Sequence, residues 1–278
     1  VHAHYASSYG YLGAYSKFHP FVISAWGTDV MKFPYEGKIK NKLIKFSLNK
    51  ADALCATSNT LDVYIKKLVS KPVHVIPFGI DLNLFKEIKE LKSPNKFVFG
   101  AVKSFEKIYN IDILIKAFAL VHTKHPKTEL LLVGDGSEKD YLMSLVKQLK
   151  LESSVIFAGR VPSAITPQYF NKLNCLVNVS QYESFGVSVI EAMACKVPVI
   201  VSATGGLMEI VTHEVNGLHV SHVNESTTAD AMERMLSDKS LADKLIANAY
   251  LHVKENYDWQ NNLKSQINVY NQLLNSKI

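Results

Sequence analysis

The sequence predicts an α/β fold in two domains with parallel sheets, and three observations predict it. Short β-branched runs alternate with amphipathic stretches along the whole chain, the pattern of βαβ units. The alternation comes as two series, separated by the polar residues Lys86 to Asn95, which close on Ser93-Pro94. The chain has 278 residues, enough for two modest units, and its 47% hydrophobic and 20% charged content excludes a disordered protein.

In the first series the expected strands are Val1–His4, Phe21–Ser24, Ala53–Thr57 and Val73–Pro77. Helices are expected around Tyr11–Phe18, Lys38–Lys50 and Asn59–Leu68. Four strands in about 85 residues make a small sheet against the usual ~100–150 residues of a domain. The first unit therefore reads as the latter half of a Rossmann-like domain, and Val1, inside an apolar strand, suggests missing upstream sequence.

The second series is complete in itself. Strand Phe97–Val102 leads to a helix from Ile111, where Ile111, Leu114, Ile115, Phe118 and His122 keep helical spacing and Asn110 is the expected cap. Strand Glu129–Val133 and the turn Gly134-Asp135-Gly136 precede a helix with Leu142, Leu145, Val146 and Leu149 on one face. Strands Val155–Ala158, Cys175–Val179, Val197–Val201 and Leu218–Val220 follow, then two or three helices. The expected domains are residues 1–92, 93–256 and a closing helix at 257–278 that returns to the first domain.

No apolar run approaches the roughly 18 residues of a spanning helix. Cys55, Cys175 and Cys195 each lie in apolar stretches without a Cys-x-x-Cys pair, so buried free thiols in a reducing, cytoplasmic setting are expected. Asn-x-Ser at Asn178 and Asn224 is read as chance. The net charge of +6 suits an anionic partner. Lys38, Lys40, Lys42, Lys45 and Lys50 form the densest cluster. A solvated helix face is the preferred reading there, and peripheral contact with the inner face of a membrane is the other. No aromatic-and-basic repeat points to nucleic acid.

Several catalytic patterns fail. Gly134-Asp135-Gly136 opens like a dinucleotide fingerprint, but Lys139 stands in place of its third glycine. There is no Walker-type loop. His213-Glu214 meets Gly217 where a zinc protease needs histidine, and Gly186-Val187-Ser188-Val189-Ile190 lacks the closing glycine of a nucleophile elbow. No Asp-x-Asp pair is available for a metal held against a diphosphate, so neither a metal nor a cofactor is expected.

One segment carries chemistry. After the strand ending near Val179 comes a short polar loop, and a helix starts about Gly186. At the carboxyl edge of a parallel sheet this is where ligands bind. The first N–H groups of the helix, at Gly186, Val187 and Ser188, offer an anion site, and Gly186 lets a phosphate approach the backbone. Glu183 lies in the loop, and Glu191 lies five residues past Gly186, roughly 7.5 Å along the helix. One carboxylate suits a sugar and the other a ribose. Against this stand a dipole-capping Glu183 and a solvated Glu191, and spacing alone leaves the two readings even.

The segment resembles the Glu-x7-Glu region of retaining glycosyltransferases of family 4, which have the GT-B fold. Glu183 and Glu191 match the two glutamates, Phe185-Gly186 the aromatic-glycine pair, and Gly205-Gly206 with Glu209 the following Gly-Gly-x-x-Glu. His2-Ala3-His4-Tyr5, Trp26-Gly27-Thr28-Asp29, Pro77-Phe78-Gly79-Ile80-Asp81 and Tyr257-Asp258-Trp259 resemble further family segments in the same order.

The resemblance implies a GT-B type fold with an incomplete first domain, and sugar transfer from a nucleotide-diphosphate sugar to a glycan or lipid-linked acceptor. Transfer proceeds with retention and without metal, the donor being a co-substrate rather than a cofactor. It assigns Glu183 and His4 to the transferred sugar. It assigns Lys103, Lys107, Ser184, Phe185, Gly186, Val187 and Glu191 to the donor, and the backbone of Arg160 and Val161 to the base. Lys103 stands where arginine is common, and Lys107 is one position early, with Ile108 in the usual place. A solvated lysine is the rival reading for Lys107. A non-catalytic nucleotide-sugar-binding remnant is the competing function, and an epimerase lacks a convincing acid/base set.

Overall fold

The computed structural model describes residues 1–275. The chain divides into two compact units. The first holds Val1–Gly79, the tripeptide Glu183–Phe185 and the closing helix; the second holds Ile80–Tyr182 and Gly186–Asp258. Residues 276–278 of the expected closing helix lie outside the described residues.

In chain order the first unit contains β1 (His2–His4), α1 (Ser8–Ser16), β2 (Val22–Ala25), α2 (Thr28–Met31), α3 (Lys38–Lys50), β3 (Ala53–Ala56), α4 (Asn59–Lys66) and β4 (Val73–Val75). The strands pair in parallel in the order β1-β2-β3-β4, with Ile23 opposite Ala3 and Leu54. Strand alternation sends side chains to two faces, and both faces are covered. Ile23, Leu54 and Ala56 pack with Ile44, Leu48, Leu61 and Ile65 of the helices. Val22, Ala53 and Cys55 face the other way, onto Val269 of the closing helix.

Helix α1 starts three residues before the expected Tyr11 and ends at Ser16. Gly13 sits against the Phe21 ring, which a Cβ there would meet at 2.3 Å. Helix α4 is capped by Ser58, whose Oγ accepts from Leu61 N at 3.2 Å. Helix α3 is closed at its carboxyl end by Lys71, whose Nζ donates to Asn49 O at 2.6 Å and Ala51 O at 2.7 Å.

The second unit runs β5 (Phe97–Val102), α5 (Ile111–Lys124), β6 (Thr128–Val133), α6 (Lys139–Gln148), β7 (Val155–Gly159), α7 (Thr166–Phe170), β8 (Cys175–Asn178), α8 (Val187–Ala194), β9 (Val199–Ser202), α9 (Leu207–Ile210), β10 (Leu218–Val220), α10 (Glu225–Ser237) and α11 (Lys239–Asn256). Its sheet is parallel, in the order β10-β9-β8-β5-β6-β7. Fully buried Phe99, Leu130, Leu132, Leu114, Ile115 and Phe118 form the core between the sheet and α5. Caps at Asn224 and Asp238 start α10 and α11.

Lys86 to Ile88, within the stretch expected to be a linker, are held in the second unit by buried Asn171. Its Oδ1 accepts from Ile88 N at 2.6 Å, and its Nδ2 donates to Lys86 O at 2.9 Å. Asn110 does not cap α5 with its side chain. It adopts a left-handed conformation (φ 52°), and its Nδ2 donates instead to Val179 O at 2.9 Å. All three cysteines are free and buried. Asn178 is buried too. The closing helix α12 (Trp259–Asn275) belongs to the first unit, where Asn262 Nδ2 donates to Pro77 O.

Candidate functional site

The six-stranded sheet starts at β5 and grows one way through β6 and β7, then the other way through β8, β9 and β10. The order reverses between β5 and β8, so a crevice opens at their carboxyl ends. The loops after these two strands carry Lys103, Lys107 and Gly186, and the helix α8 that follows the second carries Glu191. Asn110 Nδ2 to Val179 O and Gln181 N to Ile108 O, at 2.8 Å, tie the two loops together.

Lys103 is half-buried, with its Nζ 4.3 Å from the centre of the Tyr109 ring. The backbone beneath it is seated by the turn that failed as a dinucleotide fingerprint. A Cβ at Gly134 (φ 148°) would stand 1.8 Å from Lys103 O, and one at Gly136 would stand 2.5 Å from Phe105 O. These glycines let the β6 loop pass against the lysine loop. Lys107 is exposed in a short 3-10 turn, Lys107–Tyr109. Its neighbour Glu106 accepts from Ser137 Oγ at 2.6 Å and Ser137 N at 3.2 Å, which holds its carboxyl below the usual range.

Helix α8 begins after Gly186 (φ 116°), where a Cβ would lie 2.6 Å from Leu207 Cδ2. The Gly205-Gly206 turn therefore seats α9 against the start of α8. The first N–H groups of α8, at Val187 and Ser188, have no acceptor within the helix. Lys103, Tyr109, Asn178 and Ser188 line a small cavity of about 10 Å³, room for one water. Buried Asn178 accepts from Ser180 Oγ at 2.5 Å, and among the described residues its Nδ2 has no acceptor. Glu191 stands one turn into α8. Burial pushes its carboxyl up to about 7, and the charge of Lys103 opposes the shift. Among the described residues no N–H or O–H donates to it. Arg160, exposed, and Val161, half-buried, follow edge strand β7, two strands from the crevice.

The remaining candidates lie in the first unit. His4 is exposed at the carboxyl end of β1, with ring centres 4.1 Å from His2 and 5.3 Å from Trp26. Both ring nitrogens of His2 are taken, Nδ1 with Tyr270 Oη at 2.7 Å and Nε2 with Ser24 Oγ at 2.8 Å. Burial, then the neighbouring His4, lowers the His2 pKa to about 4, so this ring stays neutral. Trp26 packs edge-on to Phe78 at 5.6 Å, and Phe78 to Phe185 at 5.5 Å, which makes one aromatic row from His4 to Phe185.

The tripeptide Glu183–Phe185 is held by backbone as well as rings. Ser184 Oγ donates to Trp26 O at 3.0 Å, and Ser58 Oγ donates to Ser184 O at 2.7 Å. Residue 27 must be small, since a Cβ on Gly27 (φ 152°) would lie 2.8 Å from Ser184 Oγ. Glu183 itself is half-buried. Buried Asp29 organises the loop after β2, accepting from Ala6 N at 2.7 Å, Gly27 N at 2.8 Å and Trp26 N at 3.2 Å.

Sequence reasoning missed the organising parts. Tyr109 under Lys103, Asn178 and the role of Gly134 and Gly136 leave no periodic or motif signal. Trp26 and Phe78 were noted only as parts of matching segments. Among the described residues, no group of three or more His, Cys, Asp or Glu is placed to hold a metal ion. No helix there is long and apolar enough to cross a membrane.

Comparison with known proteins identifies the family and the fold. The profile of the family described as Glycosyl transferases group 1 matches residues 85–252, more than half the chain, and that of Glycosyl transferase 4-like matches residues 1–58. An uncharacterized glycosyltransferase of Methanocaldococcus jannaschii is 32% identical over 237 residues, which cover 82% of this chain and 59% of that protein. The chain thus spans about three fifths of the length of that relative. Sucrose-phosphate synthase of Thermosynechococcus elongatus superposes with a TM-score of 0.86 at 26% identity, over 99% of this chain and 73% of that one. HepE of Anabaena, solved in complex with UDP and glucose, superposes with a TM-score of 0.81 at 24% identity, over 95% of this chain and 75% of that one.

Proposed function

Since the chain belongs to the glycosyl transferases group 1 family and has the GT-B fold of its structural neighbours, we propose that it transfers a sugar from a nucleotide-diphosphate sugar to a glycan or lipid-linked acceptor. The observation that carries this reading is the crevice between β5 and β8, where Lys103, the start of α8 and Glu191 come together. A cation and free helix N–H groups suit a diphosphate. A carboxylate one turn further on suits the ribose hydroxyls. Relatives whose structures hold UDP support a nucleotide donor here.

In the proposed reaction the acceptor oxygen bonds to the anomeric carbon from the face the diphosphate leaves. The bond from that carbon to the diphosphate breaks, and the acceptor proton passes to an oxygen of the departing phosphate. The anomeric configuration is retained, with no metal and no cofactor, the donor being a co-substrate. Lys103 and Lys107 offset charge growing on the leaving group. Gly186, Val187 and Ser188 hold phosphate oxygens through backbone N–H groups, with Ser184 and Phe185 shaping the approach. Glu191 holds the ribose, and backbone at Arg160 and Val161 meets the base. Glu183 orients the transferred sugar, with His4 as its second contact. The three buried thiols support a reducing, cytoplasmic setting.

The test is a thermal-shift screen against UDP, GDP, ADP and their sugars, with and without magnesium. One nucleotide is expected to stabilise the protein without magnesium, and Lys103→Ala to weaken binding about 10- to 100-fold, the range of a charge-assisted hydrogen bond. Glu183→Gln is expected to lower turnover more than donor affinity. No shift from a folded sample would overturn the donor site, and unchanged turnover in Glu183→Gln would overturn that residue's role.

A further inference from the structure

The proposed transfer gives Asn178 no task, yet this residue interrupts an apolar strand. Its neighbours Val177 and Val179 are each 1% exposed, and Asn178 itself is 7% exposed. An amide enclosed this far needs partners at both ends. One end is settled, because Oδ1 accepts from Ser180 Oγ at 2.5 Å and from Ser180 N at 3.3 Å. The other end is not: among the described residues Nδ2 reaches no acceptor. Ser180 alone does not account for the residue, since aspartate would make the same two bonds and strand no N–H group.

The surroundings of the stranded amide favour an anion. Asn178 lines the cavity of about 10 Å³ with Lys103, Tyr109 and the half-buried Ser188, and Ala101, Ile111 and Leu114 supply its apolar wall. That volume holds one water. The cation of Lys103 and the N–H of Ser188, which has no acceptor within its helix, both suit negative charge. Aspartate at this position would oppose an anion there, whereas asparagine adds an N–H group. A water accepting from Nδ2 keeps two hydrogens to donate; Ser188 Oγ suits one, and an anionic oxygen suits the other.

We propose that Asn178 is a positioning residue of the nucleotide-sugar site: its Nδ2 holds one ordered water, and that water donates to a phosphate oxygen of the diphosphate. This role rests on the proposed sugar transfer and adds a contact that the family resemblance does not assign. The amide is too deeply buried to touch a ligand itself, so the water is the link. Ser180 fixes the amide from its other end. The water is therefore ordered before the diphosphate arrives, and little freedom is lost on binding. The diphosphate, rather than the sugar or the base, is the part of the donor that this contact reads.

The experiment takes, from UDP, GDP and ADP, the diphosphate that stabilises the full chain, together with its nucleoside, and titrates both by calorimetry. Asn178→Ala is expected to bind the diphosphate on the order of tenfold more weakly and the nucleoside as the parent does. Ser180→Ala, which loses a bond to Oδ1 but keeps Nδ2, is expected to melt lower and to bind the diphosphate as the parent does. A crystal structure of the parent with the diphosphate should show one water within hydrogen-bond distance of both Nδ2 and a phosphate oxygen. Unchanged diphosphate affinity in Asn178→Ala would overturn the proposal. So would equal losses for diphosphate and nucleoside, equal losses in the two variants, or a crystal structure without that water, which decides alone if Asn178→Ala does not fold. If no diphosphate binds the folded parent, the donor site itself falls. If the parent binds and Asn178→Ala binds equally, only this role of Asn178 falls.

Discussion

Each unit places a carboxylate near the carboxyl edge of a parallel sheet, buried at Asp29 and half-buried at Glu191, and the two treat it in opposite ways. In the first, Asp29 is enclosed but accepts three backbone N–H groups, so burial raises its pKa while those hydrogen bonds pull it back. In the second, Glu191 is pushed up to about 7 by burial, and only the charge of Lys103 works against the shift. A buried acid whose oxygens accept protein N–H groups is a structural joint, whereas a carboxyl raised by burial beside a cation is a candidate for binding. The difference is what the proposed donor role of Glu191 rests on.

The largest expected effect breaks the first half of that comparison. Asp29→Ala strands three backbone donors and should cost roughly 3 kcal/mol by thermal melting, whereas Asp29→Asn, which keeps one acceptor, should cost less. Equal stability of Asp29→Ala and the parent would show that the loop does not depend on the carboxylate.

A smaller effect tests the frame around Glu191. Gly186→Ala places a side chain at φ 116° and against Leu207, and should cost about 2 kcal/mol. It should also weaken nucleotide binding, because the start of α8 must shift. Loss of stability with unchanged nucleotide affinity would separate the helix start from the donor site.

The smallest effect sharpens the second half. The folded-state pKa of Glu191 lies above the unfolded value of 4.5, so between those pH values the folded protein holds more protons than the unfolded chain. Stability from this group is therefore fully present below about pH 4.5 and is lost as pH rises toward 7. After discounting for partial exposure this amounts to about 1–2 kcal/mol. Glu191→Gln should remove that slope, and nucleotide affinity in the parent should rise as pH passes 7. Parallel pH–stability curves for parent and variant would show that the carboxyl is not held this way.

Much of this architecture was legible in the chain because its signals are local. Phe97–Val102 and Lys38–Lys50 appear with the expected bounds, since hydrophobic period and length mark a strand or a helix without reference to distant residues. The start of α8 was legible for the same reason: a strand, a short polar loop and Gly186 are adjacent in sequence. Asn110 misled because a residue of its type before an apolar period usually caps a helix, and here tertiary contact redirects its amide to Val179 O. Gly134 and Gly136 looked like a failed nucleotide motif because their purpose is a close approach to Lys103 and Phe105, thirty residues away.

By itself, then, the amino-acid sequence determined the alternation of strands and helices, the two series and the Glu183-to-Glu191 segment. Each rests on neighbours within a turn or two of chain. Only the tertiary structure decided that strand order reverses between β5 and β8, that Tyr109 lies under Lys103, and that Glu183–Phe185 groups with the first unit while Gly186 and Glu191 group with the second. The physical reason is range: backbone preference and periodicity act over a few residues, whereas the charge that acts on Glu191 and the ring that holds Phe185 come from segments roughly 90 to 110 residues away in the chain.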